Sequence, residues 1–484
     1  MKINCFIPFQ SADQVKATIT SLRESALVER IFLLNDNASQ EKVEGCEIIE
    51  IDSLRSTATI KKIAEKSNTD YTLIYTKPAD LRMGMFALDR MLRIAKDSGA
   101  GLVYADHYQV ANGEKKNSPV IAYQKGSLRD DFNFGSVLIY KSTCLKAAVA
   151  SMEKEYQFAG LYDLRLKVSQ IASLVHINEY LYTEIENDNR KSGEKVFDYV
   201  DPKNRGVQIE MEEACTNHLK KIGGYLAPHF KEINFSEGGF EYEASVIIPV
   251  RNRIRTIADA IKSVLSQKTN FKFNLIVVDN YSNDGTTEAI DKFNDERLIH
   301  LIPDNQELGI GGCWNAGVHH PKCGKFAIQL DSDDVYSDEN TLQKIVDAFY
   351  EQNCAMVVGT YMLTDFDMNM IPPGIIDHKE WTPDNGRNNA LRINGLGAPR
   401  AFYTPVLRDI KVPNTSYGED YALGLNFSRE YQIGRIYDVL YLCRRWDDNS
   451  DASLDIVKMN AHNTYKDRIR TWELEARIAL NKGN

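Results

Sequence analysis

The chain has 484 residues, of which 43% are hydrophobic and 26% charged, and its formal net charge is −10 at pH 7. This length and composition predict a globular protein with two or three domains. The acidic balance and the lack of a Lys/Arg block argue against nucleic acid as a partner, because nucleic-acid binders carry a basic face. The eight cysteines form no CxxC pair, which argues against a zinc site and favours reduced thiols.

No apolar run approaches the length of a membrane-spanning helix, and the apolar part of the N-terminal MKINCFIPFQ is too short for a signal peptide. We therefore expect a soluble, cytoplasmic protein. A peripheral association with the inner face of a membrane is compatible with the sequence.

The first 195 residues contain short apolar stretches that predict strands. They include Ile7–Phe9, 70–75 and Leu102–Val103. A polar loop is predicted at 187–195, followed by a helix over 207–221 that a glycine pair stops.

From residue 244 onward, predicted strands alternate with predicted helices. Apolar stretches predict strands at 244–250, 273–278, 298–302, 326–330 and 355–358, and helical spacing predicts helices at 257–265, 286–293 and 342–350. Such alternation is typical of a parallel sheet covered on both faces. Ligands of these sheets bind outside the carboxyl ends of the strands.

Acidic residues follow two of these strands. Asp279 ends the second strand, and Asp331, Asp333 and Asp334 follow an apolar run in the sequence LDSDD. Because the carboxyl ends of parallel strands share one edge, we expect these residues to line one cleft. One interpretation is a divalent metal site, since Mg²⁺ and Mn²⁺ take carboxylate oxygens and share substrate phosphates. The other is a solvated turn that caps the next helix.

Three further segments carry candidate ligands. The Gly-rich stretch 309–312 either lets the backbone approach a ligand or forms a flexible loop, and Asn315 is either a helix cap or a nucleotide-sugar contact. Glu419–Asp420 is either a favourable acidic pair at a helix N-terminus or a general base. Arg444–Arg445, at the end of an apolar strand, either binds a diphosphate or pairs with the aspartates that follow.

The stretches VIIPVRNR, VVDNYSNDGT, NQELGIGGCWNAG, LDSDD and GED occur in this order between about 244 and 450. Together they resemble family 2 glycosyltransferases with the GT-A fold. The resemblance implies an inverting, hexosyl-transferring enzyme that uses a nucleoside-diphosphate sugar. Transfer of a single sugar is expected, because CRRW only partly matches the QxxRW motif of processive synthases and membrane helices are not predicted.

The resemblance also implies residue roles by position in the motifs. Donor binding is implied for Pro249, Val250, Asn252, Asp279, Asn280, Gly312, Asn315, Ser332, Arg444 and Arg445. The metal, Mn²⁺ or Mg²⁺, is implied at Asp331 and Asp333 with Asp334 adjacent. Asp420, with Glu419 beside it, is the matching base for the acceptor hydroxyl. The metal, helped by an arginine, stabilises the departing nucleoside diphosphate.

Partners follow from the same resemblance. UDP- or GDP-sugars are the expected donors, and a glycan or lipid-linked acceptor in cell-surface polysaccharide synthesis is the expected acceptor. His378, in the loop 372–381, is a further candidate for the metal shell or for contact with the acceptor. The sequence does not indicate an oligomeric state.

The first half repeats the plan of the second half in the same order, as after a duplication. The matches include Ile7–Phe9 with 248–250, Asp36–Ser39 with 279–282, and Tyr162–Leu164 with 419–421. Tyr75–Ala79 replaces the metal motif, and 185–187 replaces the arginines. We expect a degenerate GT-A-like domain with a structural, acceptor-binding or dimerising role. The alternative is a second, metal-free transferase that uses Asp106 and Asp163.

The predicted fold class is therefore α/β, with two GT-A-like (Rossmann-like, mostly parallel sheet) domains in tandem. The degenerate domain spans 1–195, a connector with a helix spans 196–240, and the catalytic domain spans 241–484. Apolar residues at helical spacing over 454–482 predict a C-terminal helix that covers the catalytic domain.

Two other functions are compatible with parts of the sequence. A sugar nucleotidyltransferase shares the sheet plan, but it places a Gly-rich loop after the first strand, and Val250–Arg255 contains no glycine. A non-catalytic sugar-binding or scaffold protein would have lost the metal motif and the base, and the second half has both.

Overall fold

The computed structural model describes residues 1–37, 39–185, 201–446 and 454–483. The chain forms two compact units. The first combines the residues up to 185 with Gly206–Tyr225 and Leu454–Ile478, and the second is formed mainly by residues 226–446. Several predictions fall outside the described residues: Ala38 of the repeat, Glu186 and Asn187 in place of the arginines, the loop at 187–195, and Asp447 and Asp448 as arginine partners.

The first unit is a nine-stranded sheet with helices. Its strands are β1 (Ile3–Phe9), β2 (Val28–Asn35), β3 (Cys46–Glu50), β4 (Tyr71–Tyr75), β5 (Leu81–Met83), β6 (Leu102–Ala111), β7 (Glu114–Ser118), β8 (Val137–Lys141) and β9 (Leu174–Ile185). Its helices are α1 (Ala12–Arg23), α2 (Thr57–Lys66), α3 (Ala87–Ser98), α4 (Ser142–Ala150), α5 (Gly160–Ile171), α6 (Arg205–Ile222, after a 3₁₀ turn at Pro202–Asn204) and α14 (Ile456–Gly483), the last two with ends that extend beyond the unit.

The second unit has a nine-stranded sheet of its own. Its strands are β10 (Ala244–Val250), β11 (Phe273–Asp279), β12 (Leu298–Leu301), β13 (Phe326–Gln329), β14 (Val335–Tyr336), β15 (Met356–Thr364), β16 (Met370–Ile376), β17 (Arg400–Tyr403) and β18 (Ile433–Arg444). Its helices are α7 (Ile257–Leu265), α8 (Thr286–Ile290), α9 (Ile310–Val318), α10 (Thr341–Gln352), α11 (Gly386–Asn389), α12 (Thr404–Ile410) and α13 (Glu419–Glu430).

The two sheets have the same strand order. It is β3-β2-β1-β4-β8-β6-β9-β5 with β7 beside β6 in the first unit, and β12-β11-β10-β13-β17-β15-β18-β14 with β16 beside β15 in the second. Each strand of the second sheet takes the place of the strand nine earlier. The prediction of two α/β domains with one plan is confirmed.

Both sheets are mixed rather than mostly parallel. In the second unit β12, β11, β10 and β13 are parallel neighbours, whereas β17 runs antiparallel to both β13 and β15. The sequence suggested more parallel strands because a continuous apolar run indicates a strand buried on both faces. In a layered fold such as this one, antiparallel strands are also buried on both faces, so the pattern does not give the strand direction. All seven residues of β11 are buried, for example. None of the described helices combines the length and hydropathy needed to cross a bilayer.

The C-terminal helix α14 packs on the first unit, so the prediction that it covers the second is wrong. Its Asp467 is fully buried and accepts hydrogen bonds from Ser127 Oγ (2.9 Å) and Arg129 Nε (3.2 Å). Gly126 lies so close to the helix that a Cβ atom there would come within 2.2 Å of the Thr471 backbone nitrogen. Apolar spacing identifies the buried face of a helix, but it does not identify the surface that covers that face.

The predicted connector is likewise divided between the units. Residues 206–225 belong to the first unit, and the chain from Leu226 belongs to the second. The Leu226 backbone N–H donates to Asn388 Oδ1 (2.9 Å), and Asn388 Nδ2 donates back to the Leu226 carbonyl (2.9 Å). This reciprocal pair anchors the chain where it enters the second unit.

We predict that Asp467→Ala lowers the free energy of unfolding of the first unit by about 3 kcal/mol, because it removes the buried carboxylate that pairs with both Arg129 and Arg470. Hydrogen exchange in 456–478 measures the effect in the unit concerned. Glu475→Ala, at an exposed position of the same helix, is the control and should change exchange little. Equal protection in the two variants would contradict the prediction.

Candidate active site

The carboxyl ends of three parallel strands form one edge of the second sheet. β10 lies between β11 and β13, and Val250 at the end of β10 pairs in register with Asp279 at the end of β11. Asp331, Asp333 and Asp334 follow the end of β13. The structure thus brings Asp279 and the three aspartates to the same edge, as the sequence predicted.

Asp279 is fully buried and its carboxylate is engaged within the protein. Its Oδ1 accepts from the Ser282 backbone N–H (3.0 Å), and its Oδ2 accepts from Thr287 Oγ1 (2.6 Å). Burial opposes ionisation, but hydrogen bonds from Thr287, Ser282 and His300 outweigh it and lower the pKa of Asp279. This residue therefore shapes the turn after β11.

The neighbouring Asn280 has a different environment. Its Nδ2 donates to the Leu308 carbonyl (2.9 Å), whereas its Oδ1 is buried and has no hydrogen-bond partner among the described residues. A buried acceptor without a partner costs free energy. Of the two residues of this turn, Asn280 is thus the one with an acceptor available to a ligand.

Asn252 joins the loop after β10 to the turn after β11. Its backbone N–H donates to Ser282 Oγ (3.0 Å), and its Oδ1 accepts from the Asn283 N–H (2.9 Å). Its φ of +56° lies in the left-handed region, which Asn tolerates better than most residues. The loop that carries Pro249 and Val250 at its start is held in place by these bonds.

The glycine-rich stretch is the beginning of helix α9, not a flexible loop. A Cβ atom at Gly312 would lie 2.3 Å from Asn414 Oδ1, so glycine is required for close packing against the segment 412–415. Asn315 bonds both atoms of its amide to the Val412 backbone, at 2.7 and 2.9 Å. It is neither a helix cap nor available to a ligand in this conformation.

Arg444 holds the aspartate loop. Its backbone N–H donates to Asp334 Oδ1 (2.8 Å), its Nε donates to the Asp333 carbonyl, and its Nη1 donates to Asp259 Oδ2 (3.0 Å). The Arg444 side chain is 1% exposed. Arg445 continues the strand pairing, since its backbone N–H donates to the Thr364 carbonyl (2.8 Å). Arg444 was predicted to bind the donor, but in the structure it holds the aspartate loop in position from strand β18.

The three aspartates differ in their surroundings. Asp334 is buried, and burial followed by the charges of Asp333 and Asp331 raises its pKa well above the usual value. Burial also raises the pKa of Asp331, while Arg400 opposes the rise. Asp333 is 15% exposed, and its Oδ2 accepts from Trp446 Nε1 (3.3 Å). Ser332, between them, is buried.

Arg400, at the start of β17, connects the aspartate loop to the acidic pair on α13. Its Nη1 lies 2.8 Å from Asp420 Oδ2, and its backbone N–H donates to Gln329 Oε1 (3.3 Å). Gln329 Nε2 in turn donates to Asp331 Oδ1 (2.9 Å). The charges of Asp420, Asp331 and Glu419 all raise the pKa of Arg400 against the effect of burial. One guanidinium thus serves both candidate catalytic elements.

Glu419 and Asp420 begin helix α13 but are not equivalent. Asp420 is 29% exposed and is paired with Arg400. Glu419 Oε2 is buried and has no hydrogen-bond partner among the described residues. Burial and then the charge of Asp420 raise the pKa of Glu419 to about 8. At neutral pH, Asp420 is the candidate for an ionised base and Glu419 for a neutral carboxylic acid.

The predicted metal shell is only partly assembled by the protein. Within the described ranges, no group of three or more His, Cys, Asp or Glu side chains is arranged to hold a metal ion. His378 is 2% exposed, and its Nδ1 lies 2.8 Å from Glu380 Oε1. The chemistry of Asp331 and Asp333 nevertheless fits a hard cation, since Mg²⁺ is usually bound by one or two carboxylates together with substrate phosphates.

Part of the second unit matches a known protein family. Residues 245–402 match the sequence model described as Glycosyl transferase family 2. The second unit contains a family 2 glycosyltransferase domain. The prediction of this family and of a glycosyltransferase enzyme is therefore confirmed. The match includes the aspartate loop and ends within β17, two residues after Arg400.

Relatives cover different shares of the chain. WfgD of Escherichia coli, named as a UDP-Glc:alpha-D-GlcNAc-diphosphoundecaprenol beta-1,3-glucosyltransferase, is 26% identical over 234 residues, which is 48% of this chain and 85% of WfgD. A glycosyltransferase of Rickettsia bellii is 37% identical over 313 residues, covering 60% of this chain and 44% of its own length. S. aureus TarS residues 1–349, solved with UDP-GlcNAc, match 49% of this chain and 72% of that chain, at 20% identity and a TM-score of 0.38.

The corresponding place in the first unit holds an ion pair between a lysine and a glutamate. The loop after β4 carries Lys77, whose Nζ lies 2.5 Å from Glu184 Oε1 near the end of β9. Burial opposes ionisation of Glu184, but His107 and Lys77 outweigh it and lower its pKa to about 2. Lys77 and Glu184 thus lie where the family 2 domain has its aspartate loop and the Arg444 strand end.

The acidic residues considered for a second transferase are not placed as predicted. Asp163 is the fourth residue of the 12-residue helix α5, whereas Asp420 is the second residue of the 12-residue helix α13. Asp163 is buried, and burial raises its pKa to about 6. Asp106 accepts from the Val120 N–H (2.8 Å) and contacts His176 Nε2 (2.8 Å). The match of Tyr162–Leu164 with 419–421 was thus shifted by two residues.

Sequence reasoning missed Arg400 and Gln329. Neither belongs to a motif, and their contacts join residues far apart in the chain. The one local signal was the polar Gln329 within an otherwise apolar buried strand, since such a residue requires a partner. Arg253 and Arg255 were also not proposed as site residues, although they lie in the loop between β10 and α7.

We predict that Arg400→Gln lowers kcat by about a hundredfold while donor KM changes little, because Asp420 loses the cation that orients it. Steady-state kinetics measure both constants, and Arg400→Lys should restore part of kcat. Arg408→Gln is the control, since the Arg408 side chain bonds the Val318 and His320 carbonyls, which lie outside this cluster. An equal loss in both Gln variants would indicate a structural effect.

The pKa of Glu419 predicts a pH-dependent stability. Its pKa is about 8 in the folded chain against 4.5 for a solvent-exposed glutamate side chain, so the folded state binds more protons between these values. The free energy of unfolding therefore falls as pH rises from about 5 to 8, with a slope of up to about 1.4 kcal/mol per pH unit. Glu419→Gln should remove this contribution in denaturant titrations at several pH values. Parallel curves for variant and wild type would contradict it.

Proposed function

We propose that the second unit transfers one sugar from a UDP- or GDP-sugar to a hydroxyl group of a glycan or lipid-linked acceptor, with inversion and with help from Mn²⁺ or Mg²⁺. The observation that carries this proposal is the position of Arg400 between the aspartate loop and Asp420. The shared guanidinium supports a single site in which donor and base act together.

In this proposal the reaction is a single displacement. Asp420 accepts the proton of the acceptor hydroxyl, and the oxygen attacks the anomeric carbon as the bond to the diphosphate breaks. Arg400 keeps the Asp420 carboxylate oriented, and the partly buried position excludes much of the water that would compete for the sugar. Glu419, held neutral, adds no second negative charge beside the base.

The donor is proposed to bind along the ends of β10, β11 and β13. Asn280 Oδ1 is available for an N–H group of the nucleobase. Asp331 and Asp333 would hold the metal, with Asp334 fixed behind them by Arg444. When bound, the metal supplies charge neutralisation for the departing nucleoside diphosphate. His378 is a weaker candidate because it lies outside the aspartate loop; its Nδ1 is bonded to Glu380, and its Nε2 is buried without a partner among the described residues.

The acceptor is proposed to be a lipid-linked sugar of cell-surface glycan synthesis. This follows the name of WfgD, which specifies a UDP-Glc donor and a diphosphoundecaprenol-linked sugar. The identity of 26% is too low to assign the donor sugar of WfgD to this chain. Peripheral contact with a membrane surface would suit such an acceptor.

The first unit is proposed to bind no nucleotide-sugar. The Lys77–Glu184 pair occupies the place where the second unit has its aspartate loop. The first unit also contacts α14 through Asp467, and these contacts support a structural role for the unit. An isolated fragment 1–195 would lack α6 and α14, so this proposal is best tested in the full chain.

We predict that UDP or GDP binds with Mn²⁺ at a stoichiometry of one per chain in calorimetry, and that chelator or Asp333→Ala weakens binding by about a hundredfold or more. Asp384→Ala, at an exposed position of the same unit, is the control. Two nucleotides per chain would overturn the proposal for the first unit. Metal-dependent binding unchanged in Asp333→Ala would overturn the proposed donor site.

A further inference from the structure

A cluster of arginine and aromatic side chains lies beside the aspartate loop. The Arg255 guanidinium lies 5.0 Å from the Trp446 ring centroid and 5.5 Å from that of Phe366, and the Arg253 guanidinium lies 5.9 Å from Trp446. The Phe366 and Trp446 rings contact each other edge to face at 5.3 Å. Three separate chain segments, namely the loop after β10, the turn between β15 and β16, and the end of β18, meet here.

Arg253, Arg255 and the neighbouring Arg444 differ in whether a carboxylate of the protein neutralises their charge. Arg444 also lies over Phe366 (5.1 Å), but it is buried and bound to Asp259. Arg253 is 28% exposed, and its nearest carboxylate is Asp333 at 3.9 Å. Arg255 is exposed and has no ion pair within the part of the chain that the structure describes. Two guanidinium groups are therefore available at the surface beside Asp333.

The aromatic rings give these guanidinium groups a fixed orientation. A guanidinium held against a ring face presents its N–H edge outward, and fewer rotamers are lost when it forms hydrogen bonds. Two such groups match the oxygens of a phosphate or diphosphate, which arginine binds bidentately. An ordinary ion pair between a surface arginine and a carboxylate side chain would not need aromatic rings to orient the guanidinium.

We propose that Arg253 and Arg255, held by Trp446 and Phe366, form a subsite for a phosphate or diphosphate group that binds independently of the metal. The proposal rests on the proposed function for its two sources of phosphate, which are the donor diphosphate and the diphosphate of a lipid-linked acceptor. In either case the subsite recognises a substrate anion next to the aspartate loop, where the carboxylates alone would repel it.

The test is calorimetric titration of the full chain with inorganic pyrophosphate in the presence of chelator. We expect Arg255→Gln and Arg253→Gln each to weaken binding about tenfold, as for loss of one charge-assisted contact. Arg468→Gln, at an exposed position of α14, removes the same charge elsewhere and should bind like wild type. Arg255→Lys should be intermediate, because it retains the charge but loses the planar stack.

Asp333→Ala separates this inference from the donor site. It should abolish metal-dependent UDP binding but leave metal-free pyrophosphate binding equal or tighter, because a nearby negative charge is removed. If Asp333→Ala failed to affect UDP while Arg255→Gln still weakened pyrophosphate, the donor proposal alone would fail. Wild-type affinity for pyrophosphate in both arginine variants, or no metal-free binding by wild type, would overturn the subsite.

Two further titrations identify the source of the phosphate. If the donor supplies it, Arg255→Gln weakens UDP but not uridine. If the acceptor supplies it, UDP affinity is unchanged and KM rises about tenfold for a diphosphate-linked acceptor sugar but not for the same sugar without its diphosphate. Either result supports a phosphate subsite, and the absence of both effects would overturn it.

Discussion

The second unit depends on Arg400, whose guanidinium lies among the neighbouring carboxyl groups of the aspartate loop and of helix α13. Asp331, Asp333, Asp334 and Glu419 affect one another's pKa or share Arg400 as a neighbour. Arg444 bonds the aspartate loop from the strand β18, and Arg400 does so from β17 through Gln329. Carboxylates brought this close in a partly dry site would otherwise repel one another strongly. Strand β17 therefore supplies the guanidinium group that both acidic segments share.

The first unit shows that the same sheet does not require the same charges. Its strand order is identical, yet its loop after β4 carries Lys77, which pairs with Glu184 on β9. Burial of such charges is tolerated when they are matched. The carboxylate pair of Asp331 and Asp333 has no counterpart in residues 76–80, where Asp80 is the single acidic residue. A fold can thus be retained after its chemistry has changed.

Local patterns in the sequence were sufficient for the family, for the duplicated plan and for the common edge of Asp279 and the aspartates. These features depend on strand periodicity and on residues adjacent in the chain. The roles of Arg444 and Asn315 were harder to predict, because polar groups at strand ends can face either a ligand or the backbone behind them. Both bind backbone atoms here. Arg400 and the partner of α14 could not be predicted, since the Arg400–Gln329 bond joins residues 71 apart and the Ser127–Asp467 bond joins residues 340 apart.

The placement of α14 has a consequence for how the protein is made. The first unit takes segments from both sides of the second, so the second is in effect inserted into the first. On a ribosome, domains generally fold as they emerge, with the N-terminal one first. Here residues 226–446, which form most of the second unit, emerge while the first unit still lacks α14 and the Asp467 carboxylate that bonds Arg129. The usual order is thus reversed, and a nascent chain carries the sheet of the second unit before the first unit has all of its elements.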